Sequence, residues 1–179
     1  MEKRIAILRG INVGGRRKVM MDDLKKLCLE LDFSDISTYI QSGNVIFNDP
    51  SARSNLELSN MIENAIQKRY AFEVPVIVRT VSELIQAVLD NPFYSEEADI
   101  DRLYLTFLNE EPLEENRIKT EKYQYPPDEF VIIGKEVFIF CPGPYNKTKL
   151  SNSFFENKLK VKATTRNWKT VLKLITLSR

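Results

Sequence analysis

The chain has 179 residues, 43% apolar and 28% charged, with a net charge of +1. That is an ordinary globular composition, enough for one domain or two small ones sharing a core, and no apolar run approaches the ~20 residues of a membrane span. Histidine is absent, which excludes a histidine triad, a histidine general base and a histidine-ligated metal.

The charged first residues run straight into an apolar strand pattern at residues 4–9. No secretory leader is expected, and the expected compartment is the cytoplasm. The loop that follows, Arg9-Gly10-Ile11-Asn12-Val13-Gly14-Gly15, holds three glycines between a strand and a helix. Glycines there let the backbone turn sharply and leave N–H groups open to an anion, with Arg9, Arg16, Arg17 and Lys18 at hand. It is neither a Walker A loop nor a GxGxxG fingerprint. The alternative is a tight turn with solvated arginines.

Residues 21–31 form the next element, a helix with Leu24, Leu27, Cys28 and Leu31 at i, i+3, i+4, i+7. Residues 36–41 alternate as a strand, Ser42-Gly43 is a tight turn, and residues 44–48 are a third strand. Asp49-Pro50-Ser51 reads as a helix start capped by Ser51, with the helix running to about residue 69 and a fourth strand at 74–79. A short helix over 82–89 ends at Asn91-Pro92.

The order then recurs. Residues 102–108 read as a strand, 111–122 as a polar helix or loop, and 129–133 with 136–141 as a hairpin across Gly134-Lys135. Residues 148–158 look helical, 160–163 suit a short last strand, and a helix capped by Thr165 carries Trp168, Val171, Leu172 and Ile175 on one face. The β-α-β-β-α-β order, read twice, predicts an α+β chain. It would comprise two ferredoxin-like plait halves with antiparallel sheets, plus a C-terminal helix. The expected boundaries are 1–80 for the first half, 81–100 for a connecting helix and linker, and 101–179 for the second half. The duplication rests on element order alone, since no residue-level repeat stands out.

Several strands are apolar on both faces, as Ile5 and Ile7 oppose Ala6 and Leu8. Both sheet faces are therefore expected to be buried, against the other half or a second subunit. Burial is favoured over a role for Phe47, Tyr104, Phe138 and Phe140 as an RNA-stacking surface.

Charge is unevenly spread. Residues 1–26 carry net +5, residues 147–179 net +8 and residues 81–130 net −9. Basic ends could build one positive surface, or neutralise the acidic middle. The acids at Glu110-Glu111 and Glu114-Glu115 look like a solvated face. Cys28 and Cys141 lack CxxC spacing and read as reduced packing residues, so no metal is expected.

Plait topology sets the first two strands parallel, so the glycine loop and the Gln41-to-Asn44 turn share one end of the sheet. Arg9, Asn12, Gly14, Gly15, Lys18, Gln41 and Asn44 would then converge on a phosphate or carboxylate. Lys149, in the loop after Pro142-Gly143-Pro144, and Arg166 with Asn167, expected to open the last helix, could join them. Turn and core roles are the competing readings.

The run from Ile7 to Gly15 with Lys18, and Thr38-Tyr39-Ile40-Gln41-Ser42-Gly43-Asn44-Val45, resembles a bacterial family known as domain of unknown function 1697. The tail from Thr164 to Val171 is similar to that family's C-terminal signature. The resemblance implies a two-part fold built on ferredoxin-like plaits. It implies no activity, cofactor or catalytic residue.

Function is therefore expected to be binding of a phosphate-bearing small molecule or nucleic acid at the glycine loop, with no membrane partner. The alternatives are an enzyme acting without histidine on a phosphorylated small molecule, with Cys141, Tyr39 or Lys18 as its reactive group, and a self-associating interaction module.

Overall fold

The computed structural model describes residues 2–179. The chain divides into two compact units, Met1–Leu84 with Leu174–Arg179, and Ile85–Lys173.

The first unit is built from β1 (Arg4–Leu8), α1 (Met21–Glu30), β2 (Ser34–Tyr39), β3 (Asn44–Asn48), α2 (Asn55–Tyr70), β4 (Val76–Thr80) and the start of α3 (Val81–Asp90). Its sheet has the order β2-β3-β1-β4, with β3 antiparallel to both β1 and β2. One face packs under the helices. Ala6, Leu8, Val45, Phe47, Val76 and Val78 meet Leu24, Leu27, Cys28, Leu58, Ile62 and Ile66 in a single core. The i, i+3, i+4 spacing of these helical residues places them on one stripe, and burying it holds the helices down. The other sheet face is also buried: Ile5, Ile7, Ile46 and Ile77 are at most 1% exposed.

The second unit repeats this plan. β5 (Leu103–Leu108), α4 (Glu114–Glu121), β6 (Glu129–Ile133), β7 (Glu136–Phe140), α5 (Asn152–Leu159) and β8 (Ala163–Asn167) lead into α6 (Trp168–Leu177). The sheet order is β6-β7-β5-β8. The arrangement is α+β, with two ferredoxin-like halves and a terminal helix, as the sequence pattern predicts.

The repeat extends to register. Ile5 pairs with Ile46 and Arg79 as Leu105 pairs with Phe138 and Arg166. Leu8 N–H donates to Gly43 O at 2.9 Å, and Leu108 N–H donates to Lys135 O at 2.9 Å. The halves correspond in strand pairing, and at the position held by Arg79 and Arg166 the residue type is shared as well. Val78-Arg79-Thr80-Val81 is equivalent in position to Thr165-Arg166-Asn167-Trp168 at the two final strand-to-helix junctions. Each arginine is buried, and each donates from Nη1 to the preceding carbonyl (3.1 and 3.0 Å). Thr80 Oγ1 accepts from Glu83 N–H, and Asn167 Oδ1 from Thr170 N–H, so each strand-end residue caps its helix.

Local expectations fail where two start signals compete. Ser54, not Ser51, caps α2. Its side chain accepts from Glu57 N–H while Glu57 accepts from Ser54 N–H, a reciprocal capping box. Ser51 instead lies in a turn organised by Asp49, which accepts from Ser51 N–H and Arg53 N–H. α5 starts at Asn152, capped by Ser151, rather than at residue 148. The last strand is Ala163–Asn167 rather than 160–163, so Thr165 is a strand residue and not a helix cap. β-branched threonines favour the pleated surface there.

Candidate functional site

The glycine loop and the β2–β3 turn do meet, and Asn12 joins them. Held at φ 57°, it donates from Nδ2 to Val19 O (2.9 Å) and to Gln41 O (2.8 Å). Its Oδ1 accepts from Val19 N–H at 2.9 Å, and its own N–H donates to Arg17 O at 3.1 Å. One side chain thus ties both ends of the loop to the neighbouring turn. Within the loop, Val13 bridges Arg16 across Gly14 and Gly15, which sit at φ 57° and 73°. Two consecutive positive φ values are what a tight two-residue hairpin requires. The loop is a small hairpin in its own right.

That geometry changes which groups face solvent. The N–H groups of Asn12, Arg16 and Val19 are bonded inside the loop, so it is not an open cradle of donors. Asn44 is fully buried and donates from Nδ2 to Tyr39 O at 2.9 Å, which makes it a strut of the turn. The first turn of α1 carries Asp22 and Asp23, whose charges oppose an anion at that helix end. Gly14, Gly15, Arg16, Arg17, Lys18 and Gln41 are exposed, and Arg9 is half-buried. Among the described residues, no carboxylate pairs with Arg16, Arg17 or Lys18. Exposed apolar side chains flank them: Val13 is 67% exposed and Ile40 45%.

The remaining expected residues lie in the second unit. Arg166 is buried in β8 rather than offered at a helix start, and burial pulls its guanidinium down to about 10. Asn167 is exposed, with its side chain engaged as the α6 cap. Lys149 is exposed, with its Nζ 5.4 Å from the centre of the Tyr125 ring. Side chains alternate along a strand, and Thr165 turns toward α5, where its Oγ1 donates to Asn152 Oδ1 at 2.7 Å. Arg166 therefore points to the opposite face from the helices, and the sheet separates it from Lys149.

The residues considered for catalysis are placed unevenly. Cys141 is buried, donates to Gly143 O at 3.4 Å, and has its thiol pushed up by burial and by the nearby Asp128 charge. A thiol held protonated is a poor nucleophile. Tyr39 is half-buried in β2, and Lys18 is a solvated cation.

The sequence reading omits a second cationic group. Lys119 and Lys122 close α4, and Lys158 and Lys160 close α5, around a groove of about 560 Å³ that also borders Tyr123. The visible signal is the closely spaced lysine pairs, Lys119 with Lys122 and Lys158 with Lys160, near Tyr123 and Phe154, masked by the acids earlier in α4.

Among the described residues, no helix is long and apolar enough to cross a membrane. No curated protein matches the chain. Solved structures similar to it include the conserved bacterial protein SP0830 from Streptococcus pneumoniae. The two are 23% identical, with a TM-score of 0.77 over 99% of each chain. That likeness concerns the fold. The sequence model described as a protein of unknown function, DUF1697, matches residues 1–138. Since that span takes in the glycine loop, the first plait and about half of the second, the chain belongs to the DUF1697 family.

Proposed function

We propose that this protein binds phosphate-bearing ligands through the glycine hairpin of its first half, and that a nucleic-acid backbone is the form it binds best. Three consecutive exposed cations without carboxylate partners, Arg16, Arg17 and Lys18, carry the reading. Solvated cations on a projecting hairpin gain little from a single small anion. Against a polyanion, each releases condensed counterions. Arg9 and Gln41 lie beside them, Gly14 and Gly15 set the turn, and Asn12 and Asn44 hold the two loops in place. Lys149, Arg166 and Asn167 are not needed for this site.

The test is salt-dependent binding of a short duplex. Replacing Arg16, Arg17 and Lys18 together by alanine should lower the slope of log K against log salt by about 2–3. An unchanged slope in the folded triple variant would refute the reading.

A second reading, a protein-docking module, draws on the exposed Val13 and Ile40 at the same tip. Light scattering across concentration tests the self-associating form of it: a strict monomer eliminates that form.

A further inference from the structure

We infer that the second half carries a separate site for a nucleotide unit, with phosphates on the lysines at the ends of α4 and α5 and a base against the neighbouring tyrosines. The inference is independent of the glycine hairpin.

The lysine groove of about 560 Å³ is lined by Lys119, Lys122, Lys158, Lys160, Asn157 and Tyr123 among others, and none of its lining residues is acidic. Cations at helix C-termini are ordinarily explained by the helix dipole, which places about half a negative charge there. Here each helix ends in two lysines, Lys119 with Lys122 and Lys158 with Lys160. Each last turn also holds one carboxylate, Glu121 or Glu156, so after the dipole the surplus is about half a positive charge per end. Among the described residues, Lys119, Lys122 and Lys160 make no ion pair. Lys158 donates to Tyr123 Oη at 2.7 Å, which anchors the ring at the edge of the groove.

A second groove of about 520 Å³ also borders Tyr123. Tyr125 and Phe130 line it together with three carboxylates, Glu121, Asp128 and Glu129. Tyr123 and Tyr125 are near-parallel, 24° apart with centres 6.3 Å apart. Phe154 meets both rings edge-on, at 5.5 and 5.6 Å, and so fixes their planes. Fixed rings form a stacking surface at low entropic cost. The carboxylates beside them accept from base N–H groups, the adenine amino group or the thymine imide, and repel phosphate. The charge contrast between the two grooves therefore orients the ligand: phosphate to the lysine groove, base to the aromatic groove.

Lys160 sharpens the case. It occupies the left-handed position that ends α5, at φ 61°, where glycine is favoured. Replacing it by glycine should stabilise the helix end while removing a cation from the groove. A purely structural lysine would show no loss of binding with that gain.

The experiment uses the full chain with two probes, a single-stranded deoxythymidine decamer and free ATP, followed by anisotropy and calorimetry. The Lys119→Gln/Lys160→Gly double variant should keep or raise Tm, weaken binding at least fivefold at low salt, and lower the decamer's salt slope by about 1.4. Tyr123→Ala should weaken binding about tenfold, and Tyr123→Phe should stay within threefold of the parent. A decamer carrying 5-iodouridine should photocrosslink to the peptide containing Tyr123, and should still do so when Arg16, Arg17 and Lys18 are alanine. Binding of both probes marks a mononucleotide site, and binding of the decamer alone marks a strand site. The inference is overturned if neither probe binds, if these variants bind like the parent, or if the crosslink maps elsewhere.

Discussion

At the residue scale, single positions hold the two loops of the first half together, and their substitution costs follow from contact distances. A Cβ on Gly43 would lie 2.7 Å from Ile11 Cδ1 and 2.9 Å from Leu8 Cβ, at a φ of 88° that L-residues rarely adopt. Gly43→Ala should therefore lower stability by about 2–4 kcal/mol in urea titration, through clash and backbone strain together. Gly14 has open space around its missing side chain, so its positive φ is the only constraint there. Cys28 is a second legible case. Its pattern predicts a core thiol, and burial pushes that thiol up to about 12. A proton is then held more tightly in the folded chain than in the unfolded one. The stability this provides is complete below pH ~9 and is lost as pH rises toward 12. Urea midpoints should fall over that window, and Cys28→Ala should flatten the fall. Asn12 marks the limit of such reading. Its type and position suggest a ligand contact, yet its side chain is engaged by Val19 and Gln41, a partner 29 positions away.

At the element scale, periodicity and caps account for most of the helices and strands. The strand expected at residues 4–9 forms at Arg4–Leu8, and of the expected stripe Leu24, Leu27 and Cys28 are buried on α1 with Leu31 as its C-cap, because each needs only its own buried face. Boundaries shift where local signals compete. Ser51 and Ser54 are both plausible caps, and only Ser54 has a glutamate three residues on. Ser54→Ala should cost about 1 kcal/mol, measurable as a lowered thermal midpoint. At the start of α6, Trp168 is fully buried, 5.3 Å from the Tyr94 ring, and its indole Nε1 has no partner among the described residues. Trp168→Ala should cost about 3–5 kcal/mol in urea titration. Trp168→Phe should cost less than about 1.5 kcal/mol, because losing an unsatisfied donor offsets part of the lost volume. The strand that precedes Trp168 is misjudged from sequence. Thr164-Thr165-Arg166-Asn167 is polar, and its strand character comes from pairing with β5.

At the scale of the whole chain, charge distribution matters more than total charge. A net charge of +1 predicts little attraction to polyanions, while residues 1–26 carry +5 and residues 147–179 carry +8. Retention on immobilised heparin at low salt should follow these local fields and vanish near 1 M salt, where screening reaches about 3 Å. The variant lacking Arg16, Arg17 and Lys18 should elute earlier than the parent. By itself the sequence determined the α+β class, the doubled plait order, the absence of histidine chemistry and the family resemblance. These depend on periodicity, composition and local motif, which act within a few residues. Only the tertiary structure decided that the glycine loop closes on itself, that Arg166 is buried in a strand, that Arg79 and Arg166 occupy equivalent positions in the two halves, and that lysines of α4 and α5 share a groove. Each of those depends on strand register or helix packing, which brings together residues that no local pattern links.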